Sequence, residues 1–214
     1  MDTSTSQKLI RLTGSLLTHP THWLRYLVHL PCWGRSPLDL QLPWFSYRAI
    51  DFLERTLQPA HEVFEFGSGG SSVFFARRAK FVHSVENDTA WHGSVTARAR
   101  QLGLANLQCD LHAFGDAEAA RYAELPYFRA IEGRRFDVII VDGFCGFTTG
   151  RYGALRPHCF RLALHAVRPG GMIVVDDYWM YPDFAGLAPQ AKLIVFESTG
   201  PCRYGVTSTA VFQF

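Results

Sequence analysis

The segments "DVIIVDG" (residues 137 to 143) and "MIVVDDY" (172 to 178) run through valine and isoleucine with no polar alternation, and each ends on aspartate. A strand with one wet face alternates apolar and polar residues. Unbroken apolar runs therefore mark strands covered on both faces, as in a sheet layered between helices. Short runs of this kind recur at 63–66, 81–86, 107–112, 138–141, 172–176, 193–197 and 208–214. Helical patterns lie between them near 72–79, 89–102, 116–132 and 154–167. The alternation predicts an α/β fold with a doubly wound, mostly parallel sheet. Only the loop "STGPCRYGV" separates the last two runs, too short for a crossover helix, so they are expected to pair antiparallel.

The chain has 214 residues, 48% hydrophobic and 19% charged, enough for one globular core. The main domain is read over 44–214. Residues 1–43 form a helical extension and a Pro/Gly-rich connector, "PCWGRSPLDLQLP", ahead of the helical pattern "WFSYRAIDFLERTL". A net charge of +2 lacks the concentrated basicity of phosphate-backbone binding, and no nucleic-acid partner is expected. The five cysteines are scattered without a C-x-x-C pair, which suits a reducing cytoplasm better than a disulfide framework or zinc site. No leader pattern or apolar span is evident in "MDTSTSQK" or beyond it. In residues 9–30, Leu9, Leu12, Leu16, Trp23, Leu27 and Leu30 recur at near-helical spacing beside Lys8, Arg11 and Arg25. Such a segment lies on a membrane surface or packs as an oligomerisation helix, for example in a homodimer. Pro20 interrupts it and favours packing.

A ligand is signalled by "EVFEFGSGGSS", residues 62–72. Glycines after a strand let main chain approach a ligand, and the following helix start offers unpaired N–H groups to an anion. Gly67, Ser68, Gly69 and Gly70 thus predict a nucleotide-like ligand at the carboxyl edge of the sheet, with Ser71 or Ser72 as helix cap. Glu86, 21 positions after Glu65 and followed by Asn87, ends the second run where an acid accepts ribose hydroxyls. The dinucleotide fingerprint asks for a third small residue, whereas the sixth position here is Ser72, and it assigns no role to Glu65.

Five stretches together resemble the Rossmann-like S-adenosylmethionine-dependent methyltransferases. They are Glu65 to Gly70, Val85-Glu86, Gly115-Asp116-Ala117, "FDVIIVDG" and "VRPGGMIVVDDY", and the similarity is to small bacterial O-methyltransferase-like proteins. The resemblance implies a seven-stranded sheet with an antiparallel last strand. It implies that Gly67, Ser68 and Gly69 hold the methionine part of the cofactor, Glu86 the ribose and Asp116 the adenine. It also implies methyl transfer to a small-molecule acceptor, most simply at a hydroxyl oxygen. Glu65 either contacts cofactor or fixes the glycine turn. Similar enzymes hold a magnesium ion on acids after strands four and five, which here are Asp142, Asp176 and Asp177. Those acids also suit turns and caps.

Asp142 is the expected acceptor base, with or without the ion, and His158 a second candidate. His83, within an apolar run, reads as a core residue. The loop 143–156 carries Phe144, Phe147, Arg151, Tyr152 and Arg156, and with Tyr178, Trp179 and Tyr181 it is expected to line an acceptor pocket. The competing readings are an aminopropyl transferase and a non-catalytic cofactor-binding or assembly module of the same fold.

Overall fold

A computed structural model describes residues 5–114, 123–143 and 155–214. Its strands are β1 (Glu62–Phe66), β2 (Phe81–Glu86), β3 (Leu107–Leu111), β4 (Phe136–Val141), β5 (Val167–Val175), β6 (Lys192–Thr199) and β7 (Val206–Gln213), in one sheet ordered β3-β2-β1-β4-β5-β7-β6. Neighbours from β3 to β5 are parallel, and β7 runs antiparallel to both β5 and β6. The expected α/β architecture and the antiparallel closing pair are both present. Among the described residues the helices are α1 (Thr5–Thr18), α2 (His22–Val28), α3 (Pro37–Leu40), α4 (Tyr47–Thr56), α5 (Gly70–Ala76), α6 (Thr89–Gln101), α7 (Pro126–Arg129), α8 (Leu155–Ala166) and α9 (Phe184–Leu187).

The apolar runs are explained by two cores, one on each face. Along β4, Ile139 and Val141 point to one core and Val138 and Ile140 to the other, all four fully buried. The first face also holds Phe64, Phe66, Ile173 and Val175 against Tyr127 and Phe128 of α7 and Phe160 of α8. The second holds Val63, Val82 and Val174 against Ile50 and Leu53 of α4 and Phe74 and Phe75 of α5. Leu16 of α1 and Tyr26 of α2 join this second core, so the N-terminal helices pack against it. Each such side chain contributes roughly 1.5–3 kcal/mol by leaving water, and together they dominate what holds the layers.

Three sequence expectations need correction. The helix expected over 116–132 is, among its described residues, only the short α7, because Pro126 can open a helix but not sit inside one. The fifth strand begins at Val167, earlier than expected, and absorbs the Pro-Gly-Gly segment through a register shift against β4. Gly171 is needed there, since a Cβ would lie 2.7 Å from the Asp137 carbonyl oxygen. The connector is also structured. It contains a 3₁₀ turn at Pro31–Trp33, then α3 with a capping box in which Asp39 N–H donates to Ser36 Oγ and Ser36 N–H donates to Asp39 Oδ2.

That connector is pressed against the glycine segment. A Cβ on Gly70 would stand 2.2 Å from Leu42 O and 2.3 Å from Pro37 O, both main-chain atoms. Gly70→Ala is therefore expected to lower the stability by about 1–3 kcal/mol or more, because backbone must move. Gly14, inside α1 with nothing near its missing Cβ, should respond in the opposite sense. Gly14→Ala is expected to raise stability by up to about 1 kcal/mol. Urea unfolding of the two variants checks the pair; equal effects would contradict the packing described.

Candidate active site

The site is built at the carboxyl ends of β1, β2, β4 and β5. Leaving β1, the chain turns at Gly67, whose φ of +97° favours glycine. Space demands it as well: a Cβ would lie 3.1 Å from Gly143 Cα and 3.2 Å from Asp142 O, at the end of β4. Gly67 N–H donates to Val85 O of β2 at 2.9 Å, so the turn is tied to both neighbouring strands.

Behind the turn sits Glu65, 1% exposed. Its Oε2 accepts hydrogen bonds from the hydroxyls of Ser72 and Ser84, the latter at 2.8 Å. Ser72 Oγ in turn accepts from Gly69 N–H at 3.0 Å. One carboxylate thus joins β1, β2 and α5 and fixes the loop through a hydroxyl relay. The residue supports the turn from below, and it also borders the crevice above. Burial pushes the Glu65 pKa from 4.5 up to about 7, opposed by the serine hydroxyls.

Glu86, 5% exposed, closes β2. Its Oε1 accepts from the backbone N–H groups of Asn87 at 2.8 Å and Asp88 at 2.9 Å, which fixes the carboxylate plane. Among the described residues Oε2 accepts only from Ser68 Oγ at 2.7 Å, a rotatable hydroxyl that a ligand hydroxyl can replace. Trp91 of α6 donates its indole N–H to Ser68 O at 2.7 Å and holds its ring over Gly69, 3.6 Å from the missing Cβ. Glu65, Gly67, Ser68, Glu86, Asn87, Asp88, Trp91, Asp142 and Gly143 enclose a crevice of about 480 Å³. Its volume falls in the range of small-molecule sites.

A second cavity of about 410 Å³ lies on the other side of the loop, lined by Pro37, Trp44, Gly69, Gly70, Ser71, Arg156, Asp176 and Asp177. Ser68, Trp91, Asp142 and Gly143 border both cavities, so the two meet at Asp142. Arg156, 7% exposed, organises this junction. Its Nη2 stands 3.2 Å from Asp142 Oδ1, Nη1 donates to Asp176 O at 2.9 Å and Nε donates to Gly143 O at 2.9 Å. Burial pushes the Asp142 pKa up to about 7 against the pull of Arg156. The side chain keeps 23% of its surface open to the crevice, and a ligand covering it would raise the value further.

This arrangement does not fit the expected metal. The carboxylates of Asp142, Asp176 and Asp177 diverge: Asp176 Oδ1 accepts from Thr209 Oγ1 at 2.8 Å, and Asp177 Oδ1 accepts from Thr207 Oγ1 at 2.9 Å. The guanidinium of Arg156 already compensates Asp142 where a cation would sit. Among the described residues no group of three such side chains converges on an ion position. The magnesium expectation is withdrawn.

Other expected residues are placed as follows. His158 of α8 packs its ring on Phe128, 5.2 Å between centroids, and lines neither crevice. Burial, then Arg161, lowers its pKa. His83 is a core residue, 4% exposed, its Nε2 2.8 Å from Asp110 and its Nδ1 2.8 Å from Arg134 Nη1. Tyr178 and Tyr181 belong to the core instead of an acceptor pocket, Tyr181 stacked on Phe184 and Tyr178 edge-on to Phe212. Trp179 is exposed. Arg156 is engaged by the protein itself and is not a free anion receptor. Asp116, Phe144, Phe147, Arg151 and Tyr152 lie outside the described residues. Sequence reasoning missed Trp91, Trp44, Pro37 and Tyr127. Tyr127 is 3% exposed, and its hydroxyl lies where a Gly143 side chain would begin. The "ENDTAW" segment, with an aromatic five residues past the ribose-type acid, was the available signal for Trp91.

No protein-family model and no curated protein matches the sequence. Solved structures do match. An O-methyltransferase from Streptomyces achromogenes in complex with S-adenosylmethionine is 18% identical over 78% of each chain, with a TM-score of 0.53. An N-methyltransferase from Bradyrhizobium japonicum is 11% identical over 78% of this chain and 92% of its own, TM-score 0.54. An rRNA methylase from Streptococcus thermophilus is 14% identical over 84% and 98%, TM-score 0.52. At these identities the likeness establishes the fold, that of the Rossmann-like S-adenosylmethionine-dependent methyltransferases.

The raised Glu65 pKa makes stability depend on pH. The folded state retains the proton more strongly than the unfolded chain, so this contribution is full below about pH 4.5 and is lost as pH rises through about 7. It amounts to roughly 3 kcal/mol at most. Asp142 adds a contribution of the same sign. Glu65→Gln is expected to flatten the fall in unfolding free energy between about pH 5 and 8, read by urea titration across that range. A variant as pH-dependent as the parent would contradict the buried carboxyl.

Proposed function

We propose that the protein is a methyltransferase that binds S-adenosylmethionine in the crevice beside Glu86 and methylates a small molecule held in the second cavity. The observation that carries this reading is that the two cavities meet at Asp142, beside a loop in which Gly67 and Gly70 leave no room for a Cβ. The residues present fit the cofactor: bare main chain at Gly67 and Gly69 suits an amino-acid tail, and the buried Glu86 carboxylate offers Oε2 to sugar hydroxyls. Asn87 and Trp91 border the same space, and Ser71 and Gly70 face the acceptor side. When bound, the sulfonium supplies an electrophilic methyl group.

The chain's own part is to align the acceptor and remove its proton. A hydroxyl acceptor fits best. Asp142, with a pKa near 7, takes the O–H proton as the oxygen gains the methyl group, and Arg156 keeps the carboxylate oriented. Three aspartates, Asp142, Asp176 and Asp177, against one arginine, Arg156, line the second cavity, which disfavours a polyphosphate and supports a small uncharged acceptor over RNA. Among the described residues no cysteine forms a disulfide, which supports the cytoplasm as the compartment.

Calorimetric titration with S-adenosylhomocysteine and with NAD tests the cofactor assignment. Binding of the first alone is expected, with affinity falling about tenfold or more in Glu86→Gln. Binding of NAD alone would overturn the reading. Asp142→Asn is expected to bind S-adenosylhomocysteine within a few-fold of the parent and to lose about 10²–10⁴ in kcat. Since the base must be ionised, the parent's rate should rise with pH through a midpoint near 7, and this limb should vanish in the variant. An unchanged limb would remove Asp142 from the chemistry.

A further inference from the structure

The outward face of the N-terminal helices is apolar and unpartnered. On α2 the residues turned inward are His22 and Tyr26, while Trp23, Leu24, Leu27 and Val28 are 44%, 73%, 51% and 45% exposed. Ile10 and Leu17 of α1 are each 70% exposed, and Trp33 is 61% exposed. Two indole hydrogen bonds draw parts of this surface together. Trp23 Nε1 donates to Leu16 O at 3.0 Å, which straps α2 to the end of α1, and Trp33 Nε1 donates to Leu27 O at 2.7 Å, which folds that indole back onto α2. A soluble monomer seldom leaves so many large apolar side chains open on neighbouring helices without a use for them.

Charge selects the occupant. From residue 3 to residue 38 the sequence has no aspartate or glutamate but carries Lys8, Arg11, Arg25 and Arg35, although the whole chain nets only +2. Arg11 and Arg25 pair with Glu197 and Asp51, whereas Lys8 and Arg35 are exposed and make no salt bridge among the described residues. A second copy of the same segment would offer these unpaired cations no acid. Against anionic headgroups they attract, and exposed indoles with leucines are the composition that settles at a headgroup boundary. Among the described residues no helix is long and apolar enough to cross a membrane, so insertion would be shallow. The segment also continues from Arg35 into Pro37, which lines the second cavity together with Trp44. We infer that α1, α2 and Trp33 dock this protein on an anionic lipid surface, with the second cavity's rim beside the docked segment.

Sedimentation with phosphatidylcholine vesicles, with and without phosphatidylserine, tests this on the full chain. The parent protein is expected to pellet with the anionic vesicles and to be released by high salt. Leu24→Glu combined with Leu27→Glu, both exposed positions, should lower the partition coefficient by about tenfold or more. Lys8→Glu combined with Arg35→Glu should lower it severalfold and weaken the salt dependence. S-adenosylhomocysteine binding by the variants verifies that they are folded and is independent of the outcome. A parent that stays in the supernatant would overturn the inference. So would vesicle binding by Leu24→Glu/Leu27→Glu equal to the parent's, or sedimentation velocity showing a parent dimer that these substitutions split while vesicles are ignored.

Discussion

The site depends on one buried carboxylate. Glu65 is sealed beneath the glycine turn, and its Oε2 draws together a hydroxyl from β2 and a hydroxyl from the first turn of α5, the second of which holds Gly69 N–H. An acid buried this deeply would be costly without partners. With them it sets the path of the loop, so that bare main chain faces the crevice at Gly67 and the second cavity at Gly69. It also accounts for a local stability that responds to pH near neutrality, since desolvation and hydroxyl bonding oppose one another on the same group.

A comparable balance holds at the junction of the two cavities. Arg156 spans Asp142, the Gly143 carbonyl and the Asp176 carbonyl, so the ends of β4 and β5 are joined by a guanidinium. That cation stands in place of a metal: it orients Asp142 and tempers its rise in pKa without holding substrate. A further chain, in which Ser46 N–H donates to Thr209 Oγ1 and Thr209 Oγ1 donates to Asp176, anchors this corner to the start of α4. This corner is therefore braced from the start of α4, directly after the connector that covers Gly70.

Much of this was legible in the residues. Strands flanked on both sides by helices are apolar on both faces over most of their length, so β4 and β5 declare themselves; the loop too short for a helix declares the β6–β7 pairing. Glu65, the glycines and Glu86 stood out by residue type at strand ends, and the fold brings Glu65, Gly67 and Glu86 to one crevice. What stayed hidden depends on contacts remote in sequence. Nothing local to Pro37 or Leu42 shows that their carbonyls rest on Gly70, and nothing local to Arg156 shows that it neutralises Asp142. The aspartates after strands four and five look alike in sequence whether they converge on an ion or, as here, turn toward threonines of β7. Tyr127 was hidden inside an expected helix of which the described residues show only the turn opened by Pro126, and His158 looked poised at a helix start although its ring packs on Phe128.

The apolar face of α1 and α2 shows the same division. Its periodicity was visible, but only the fold shows that Leu16 and Tyr26 are spent on the core while Trp23, Leu24 and Leu27 face outward. The central claim, that the loop and Glu86 cradle a nucleoside with an amino-acid tail, is tested most directly by a crystal structure grown with S-adenosylhomocysteine. Density for the ribose on Glu86 Oε2, with the carboxylate tail along Gly67 to Gly69 and the sulfur toward Asp142, is the predicted result. Density elsewhere on the molecule, with this crevice closed by side chains, would contradict it.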